Sequence, residues 1–391
     1  MVQAIRNSTW PAYFPSDYRW SFNTVLALSA ARHGGSDIGE IDQVVRNLED
    51  HVGDDERWFE EWVAMGDRVF ALAVDAENRG KRLTAAAHYR RSSCYHFVGD
   101  RFRMPKDDRA KKVYSQAVES FRKASVLNDD GMEFVEIPYE DASLPAILVP
   151  AQNTTAARPP VVVLYTGFDG NKELNWFSGV PELVRRGVSC ITVDTPGVGE
   201  AIRFREMYLR YDYEVAGSAV LDYLETRDDV DADRAAIAAM SLGGYYAPRT
   251  AAMEHRFKAC LAWGAQWDYY DVWKRRIESA YNSQLPVPGD HLLWSTNADT
   301  IEEALQRMEG FKLAGVVEKM RCPFLICHGE DDQQISLDHA RALFEASGSE
   351  DKELRIFTDA EGATQHCNFD NLSISTPVMF DWLAEKLGAT R

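Results

Sequence analysis

The chain has 391 residues, 45% of them hydrophobic and 27% charged, with a formal net charge of −18. This is the composition of an ordinary globular protein, long enough for a sizeable core in one large domain or two modest ones. The acidic balance argues against a nucleic-acid partner and against docking on anionic lipid, because both need a basic stripe.

The N-terminal stretch "MVQAIRNSTWPAYFPSDYRW" has no basic segment followed by an apolar one, so no secretory signal is expected. No apolar run approaches the ~18 residues of a membrane span. The six cysteines are Cys94, Cys190, Cys260, Cys322, Cys327 and Cys367. They show neither CxxC pairs nor a Cys/His cluster with metal-ligand spacing, which points to a reducing, cytoplasmic setting without a structural metal. Short acidic runs such as "DDER" (Asp54–Arg57) and "SEDKE" (Ser349–Glu353) read as solvated faces.

Residues 1–128 read as a helical N-terminal region. In "DDERWFEEWVAMGDRVFALAVDAENRG", Trp58, Trp62, Met65, Val69 and Leu72 recur at steps of three and four, one face of a helix that Gly80 is placed to end. "RLTAAAHYRRSSCYHFVGDRF" and "KKVYSQAVESFRKAS" continue in helical texture without a fixed repeat. Residues 129–391 alternate short apolar strands with helices. "MEFVEIPYED" reads as a half-buried strand and "PPVVVLYTGF" as one buried on both faces. A helix is expected around Glu173–Arg186, then a strand and Gly-rich loop in "GVSCITVDTPGVGE", then a helix around Tyr213–Arg227. The strand "RAAIAAM" leads to a helix from Gly243. Strands "FKACLAWGA", "CPFLICHG" and "ELRIFTDA" follow, with a helix around Leu337–Ala346 and a last one from Pro377. This alternation predicts an α/β fold, a mostly parallel doubly wound sheet. An insertion at about 267–311, rich in Trp and Tyr, reads as a lid over a site at the carboxyl edge of the sheet, or as a helical crossover that only packs.

The stretch "AAIAAMSLGGYYAPR" sets Ser241 between a strand and a helix, with Ala239, Gly243 and Gly244 as small neighbours. A nucleophilic serine on a sharp turn needs that room, although Ala239 stands where G-x-S-x-G has its first glycine. In "HGEDDQQIS" a carboxylate falls at a strand end. The G-x-x-D spacing from Gly329 favours Asp332 over its rivals Asp331 and Glu330. In "DAEGATQHCNFDN", His366 lies after the last strand, and no histidine follows it. Serine, acid and histidine in this order are the arrangement of α/β-hydrolases: the histidine takes the serine's proton and the acid orients it. The oxyanion donors expected are the backbone N–H groups of Leu242 and Phe168, with Gly167 allowing close approach. Cys367 is a rival nucleophile without an elbow. "DTPGVGE" lacks the Lys-Ser/Thr of a phosphate-binding loop and reads as a loop at the site edge.

Taken together, "LYTGFDGNKE", "DTPGVGE", "AMSLGGYYAPR", "HGEDDQQIS" and "EGATQHC", behind a helical N-terminal region, resemble a branch of the α/β-hydrolases. That branch includes 2,6-dihydroxypseudooxynicotine hydrolase, fungal hydrolases that shorten polyketides in pigment pathways, and fermentation-respiration-switch-like esterases. The resemblance covers essentially the whole chain, with the motifs within about residues 160 to 370. It implies a serine hydrolase needing no cofactor, with Ser241, Asp332 and His366 as its triad, a capping role for the helical region and the insertion, and a homodimer. It also implies a small-molecule substrate, cleaved at a carbon–carbon bond next to a ketone or at an ester. The aromatic residues of "AWGAQWDYYDVW" either hold an aromatic or polyketide-like substrate, with Tyr165, Trp267, Asp268 and Tyr269 as contacts, or form the insertion's own core. Asp268 is also placed to help a leaving group. A binding protein on a hydrolase fold is the non-catalytic reading, against which the intact Ser/Asp/His set argues.

Overall fold

The computed structural model describes residues 12–278 and 289–389. The first eleven residues, and residues 279–288 of the expected lid, therefore lie outside the described residues. The chain divides into two compact units. Among the described residues, one consists of residues 12–132 with Trp176–Ser178 and residues 289–291, and the other of the remaining segments from Glu133 onward.

The first unit is helical: α1 (Tyr18–Ser29), α2 (Ile38–Leu48), α3 (Asp55–Asn78), α4 (Arg82–Asp100) and α5 (Asp108–Asn128). Four of the five starts are fixed the same way. The carboxylates of Asp17, Asp37, Asp54 and Asp107 accept backbone N–H groups of the first turns, each cap contributing about 1 kcal/mol. Part of the "DDER" run is thus a helix start as well as a solvated surface. Along α3 the buried face runs through Trp58, Trp62, Met65 and Val69 to Ala73 and Ala76. Leu72, expected on that face, is 48% exposed, because the four-residue step from Val69 lands on Ala73. The indoles of Trp20 and Trp62 lie 5.0 and 5.5 Å from that of Trp58, whose N–H donates to Val98 O at 2.9 Å.

The second unit is built on one eight-stranded sheet in the order β1-β2-β4-β3-β5-β6-β7-β8. The strands are β1 (Glu133–Tyr139), β2 (Ala142–Val149), β3 (Pro160–Tyr165), β4 (Ser189–Val193), β5 (Asp231–Leu242), β6 (Ala259–Ala265), β7 (Phe324–Gly329) and β8 (Lys352–Phe357). β2 runs antiparallel to β1 and β4, and every other pairing is parallel. Periodicity marks no strand over β2, whose Pro145 interrupts the pattern. β3 to β7 are buried almost throughout, as a sheet covered on both faces requires.

Two helix expectations are corrected. The single helix around Glu173–Arg186 is two short ones, Lys172–Phe177 and Val180–Val184. Pro181 lies in the first turn of the second, where its missing N–H costs nothing. The last helix spans Leu372–Lys386 and holds Pro377 inside it rather than at its start. The Thr376 hydroxyl supports the turn before the proline by donating to Leu372 O at 2.8 Å.

Because β3 and β5 to β8 are parallel, their carboxyl ends share one edge. The register pairs Tyr165 with Ala239, Met240 with Trp263, and Gly329 with Phe357. The loops carrying Phe168, Ser241, Asp332 and His366 all leave the sheet there.

Candidate active site

β5 ends at Leu242 and the next helix begins at once, Gly243–Met253. Ser241, at the turn, has φ of 59°, a left-handed conformation that costs a non-glycine residue about 1–3 kcal/mol. It is also the only residue from Ala235 to Thr250 that is not buried. A Cβ on Gly243 would stand 2.5 Å from the Ala239 Cβ. The turn therefore has room for one methyl across these two positions, and here Ala239 supplies it. That is how alanine is accommodated where the motif has glycine. A Cβ on Gly167 would stand 2.6 Å from the Ser241 Cβ, so the loop after β3 lies directly against the serine.

His366 bridges serine and acid. Its Nε2 is 2.8 Å from Ser241 Oγ and its Nδ1 is 2.7 Å from Asp332 Oδ2. The second carboxylate oxygen of Asp332 accepts the backbone N–H groups of Gln334 at 2.8 Å and Ile335 at 3.0 Å. Burial pushes the Asp332 carboxyl up, but the facing His366 and these hydrogen bonds hold it below the usual carboxylate range. Burial likewise favours a neutral His366, yet the Asp332 carboxylate carries its pKa above the ordinary 6.5 of histidine. An ionised Asp332 only accepts, so the imidazole proton sits on Nδ1 and Nε2 faces the serine hydroxyl as an acceptor.

The rivals are turned elsewhere. Cys367 is buried and its Sγ donates to Trp263 O at 3.4 Å. Glu330 accepts the backbone N–H of Asp359 at 3.2 Å. Of the three adjacent carboxylates, Asp332 is the one bonded to His366.

Two further groups hold this geometry without standing out in the sequence. His328, the last residue but one of β7, accepts the Ala265 N–H at 3.2 Å on Nδ1 and donates from Nε2 to Ile335 O at 3.0 Å. Burial lowers its pKa, so it stays neutral and ties the acid's loop to β6 without competing for the Asp332 charge. Asp370 accepts the backbone N–H groups of Thr364 at 2.9 Å and Gln365 at 3.2 Å, fixing the two residues that precede His366. The only signal for Asp370 is an acid four residues after a candidate histidine.

The expected substrate contacts are more dispersed. Tyr165 is fully buried, its ring edge-on to Tyr213 at 6.1 Å. Trp267 donates its backbone N–H to His339 Nδ1 at 3.2 Å. Asp268 accepts the Asp271 N–H at 2.9 Å and so starts the helix Tyr269–Glu278. Tyr269 packs within 6.4 Å of Phe168, Trp273 and Phe311, and Phe168 lies 5.5 Å from Trp273. Among the described residues these aromatics pack on one another and on the loop beside the serine, and no three His, Cys, Asp or Glu side chains group as metal ligands. A groove of about 470 Å³ between Tyr139 and the helix Glu214–Glu225 contains none of the candidate site residues.

Residues 41–342 match the family model described as esterase FrsA-like. The chain belongs to the FrsA-like esterase family. It is 30% identical to the hydrolase LUC6 of a Fusarium species, over 97% of this chain and 98% of that one. It is also 30% identical to the 20-hydroxy-prefusarin hydrolase FUS2 of Gibberella moniliformis, over 95% and 96%. Among solved structures, 2,6-dihydroxy-pseudo-oxynicotine hydrolase shares the fold with a TM-score of 0.77 at 23% identity, covering 92% of this chain and 95% of that one. The chain is a hydrolase on the α/β-hydrolase fold, as its motifs imply. Among the described residues no helix is long and apolar enough to cross a membrane.

Proposed function

We propose that this FrsA-like hydrolase is a serine hydrolase working through an acyl-enzyme on a small-molecule carbonyl compound. Ser241 is the nucleophile, His366 the general base and Asp332 the carboxylate that orients it. The observation that carries this reading is the unbroken line of hydrogen bonds from Ser241 Oγ through His366 to Asp332, beginning at the one residue of the turn that is not buried.

His366 Nε2 takes the serine proton as Oγ attacks the carbonyl carbon. The imidazolium that forms is stabilised by Asp332. The backbone N–H groups of Leu242 and Phe168 receive the oxyanion, each donor contributing about 3–4 kcal/mol. His366 then returns its proton to the leaving group, and water, activated by the same imidazole, releases the acyl group from Ser241. The bond broken in this reading is a carbon–carbon bond next to a ketone in an aromatic or polyketide-like molecule. The carbon leaving group must then be a stabilised enolate or electron-rich ring. In this reading the planar partner stacks against Phe168, on the loop that abuts Ser241, and against the rings of Tyr269, Trp273 and Phe311 that pack with it. The esterase character of the family favours a second reading, a carboxylesterase or lactonase, in which the same residues expel an alkoxide or phenolate.

Fluorophosphonate labelling tests the shared core. Wild-type protein should label and Ser241→Ala should not. A folded wild type that stays unlabelled removes both readings. Turnover panels separate them: hydrolysis of p-nitrophenyl esters together with inertness toward acylphenols and β-diketones leaves only the ester reading.

A further inference from the structure

The mechanism makes no use of a buried, heavily charged cluster in the second unit. Lys172 is buried, and its ammonium is ion-paired at 2.7 Å to Glu173, at 3.0 Å to Asp194, and to Glu200 as well. Asp194, also buried, binds Lys172 twice: Oδ1 accepts its backbone N–H at 2.7 Å and Oδ2 accepts the ammonium. Asp194 is itself fixed at the end of β4. Its N–H donates to Pro145 O at 2.9 Å and its Oδ2 accepts the Glu200 N–H at 2.8 Å. Taking such ions out of water costs several kcal/mol each, and a well-packed apolar cluster would hold the fold at least as well. The arrangement therefore calls for a reason of placement.

The placement is specific. Only Phe168–Asn171 separate Lys172 from Gly167, the residue that lies against Ser241. The loop is held at one end by β3, which stops at Tyr165, and at the other by Asp194. We infer that Lys172 and Asp194 form a buried positioning lock that sets the oxyanion loop, residues 166–171, against Ser241; this rests on the serine-hydrolase reading above. Neither residue touches substrate. They act by fixing where the Phe168 N–H points.

The test compares wild type, Lys172→Met and Asp194→Asn on p-nitrophenyl acetate and on its thiono analogue, with sulfur in place of the carbonyl oxygen. Melting temperatures and fluorophosphonate labelling are read alongside. An ~1 Å misplacement of an oxyanion donor lowers kcat about ten- to a hundredfold. That loss is expected with KM unchanged and with a shrunken preference for oxygen over sulfur, which reads the donors and not the fold. Should Lys172→Met fail to fold, Asp194→Asn carries the same expectation, because it keeps the side-chain shape and the acceptor for the Lys172 N–H. A folded variant with wild-type kcat overturns the lock. So does a loss that follows the melting temperature while the oxygen–sulfur preference stays intact. Wild-type protein inert to both the ester and the fluorophosphonate sinks the serine-hydrolase reading itself, and the lock with it.

Discussion

Asp332→Asn is the sharpest perturbation of the proposed chemistry, because size and shape are kept and only proton placement changes. In the wild type one carboxylate oxygen accepts two backbone N–H groups, from Gln334 at 2.8 Å and Ile335 at 3.0 Å. An asparagine must turn its carbonyl to those donors, since an amide NH₂ there would meet two N–H groups head on. The NH₂ then faces His366 Nδ1, at the position now 2.7 Å away. That nitrogen becomes an acceptor, and the imidazole proton moves to Nε2, opposite Ser241 Oγ at 2.8 Å. A base already protonated on that nitrogen cannot take the serine's proton. The expected loss in kcat is about 10⁴-fold, the scale of a tautomer switched at this position, or about 5.5 kcal/mol. The assay is p-nitrophenyl ester turnover over a range of pH, with the melting temperature as a check on folding. The base must be neutral, so wild-type kcat/KM rises with pH and levels off only above the ordinary histidine value of 6.5, where Asp332 holds the His366 pKa. Without that charge burial dominates, and the residual activity of the variant should level off at lower pH. A folded Asp332→Asn within tenfold of wild type would refute the assignment of both residues.

Gly243→Ala should cost about 1–3 kcal/mol by overpacking, since its methyl would stand 2.5 Å from that of Ala239; adding Ala239→Gly should recover most of the melting temperature, and no recovery would remove the shared-methyl account. Asp370→Ala removes the carboxylate that accepts the backbone N–H groups of Thr364 and Gln365, so a loss of about 2 kcal/mol in chemical denaturation is expected, with kcat reduced because His366 is released; unchanged kcat would count against a positioning role. Burial, with Asp194 and Glu200 close by, pushes Glu173 up from 4.5 to about 7 against the pull of Lys172. The folded state thus holds that proton more tightly than the unfolded chain, and stability from this group is lost as pH rises from 4.5 through 7. Wild-type melting temperature should accordingly fall relative to Glu173→Gln between pH 5 and 8, and parallel curves would contradict it.

How much of this was legible in the sequence differs from element to element. Buried parallel strands are continuous apolar runs, so β3, β5 and β7 announce themselves, while β2 with its Pro145 does not. The order of Ser241, Asp332 and His366 is readable because parallel strands deliver successive loops to one sheet edge. Asp332 could be preferred to Asp331 and Glu330 by spacing, but the choice belongs to the two backbone N–H groups that aim its carboxylate. By sequence alone His328 is a histidine at a strand end and Asp370 an acid in a loop. His328 bonds the backbone of Ala265, on a different strand, and Asp370 bonds Thr364 and Gln365 only because the chain turns back between them; no residue pattern encodes either.

Local pattern alone therefore determined the alternation of strands and helices, the small-residue setting of Ser241 and the candidates for its partners, because each depends on neighbours a few positions away. Tertiary structure alone decided that one methyl fits between positions 239 and 243, that Cys367 turns toward Trp263, and that Lys172 is buried among three carboxylates at the end of the loop that lies against Ser241. Those outcomes depend on close packing and on charge removed from water, and both exist only once strands far apart in the chain lie side by side.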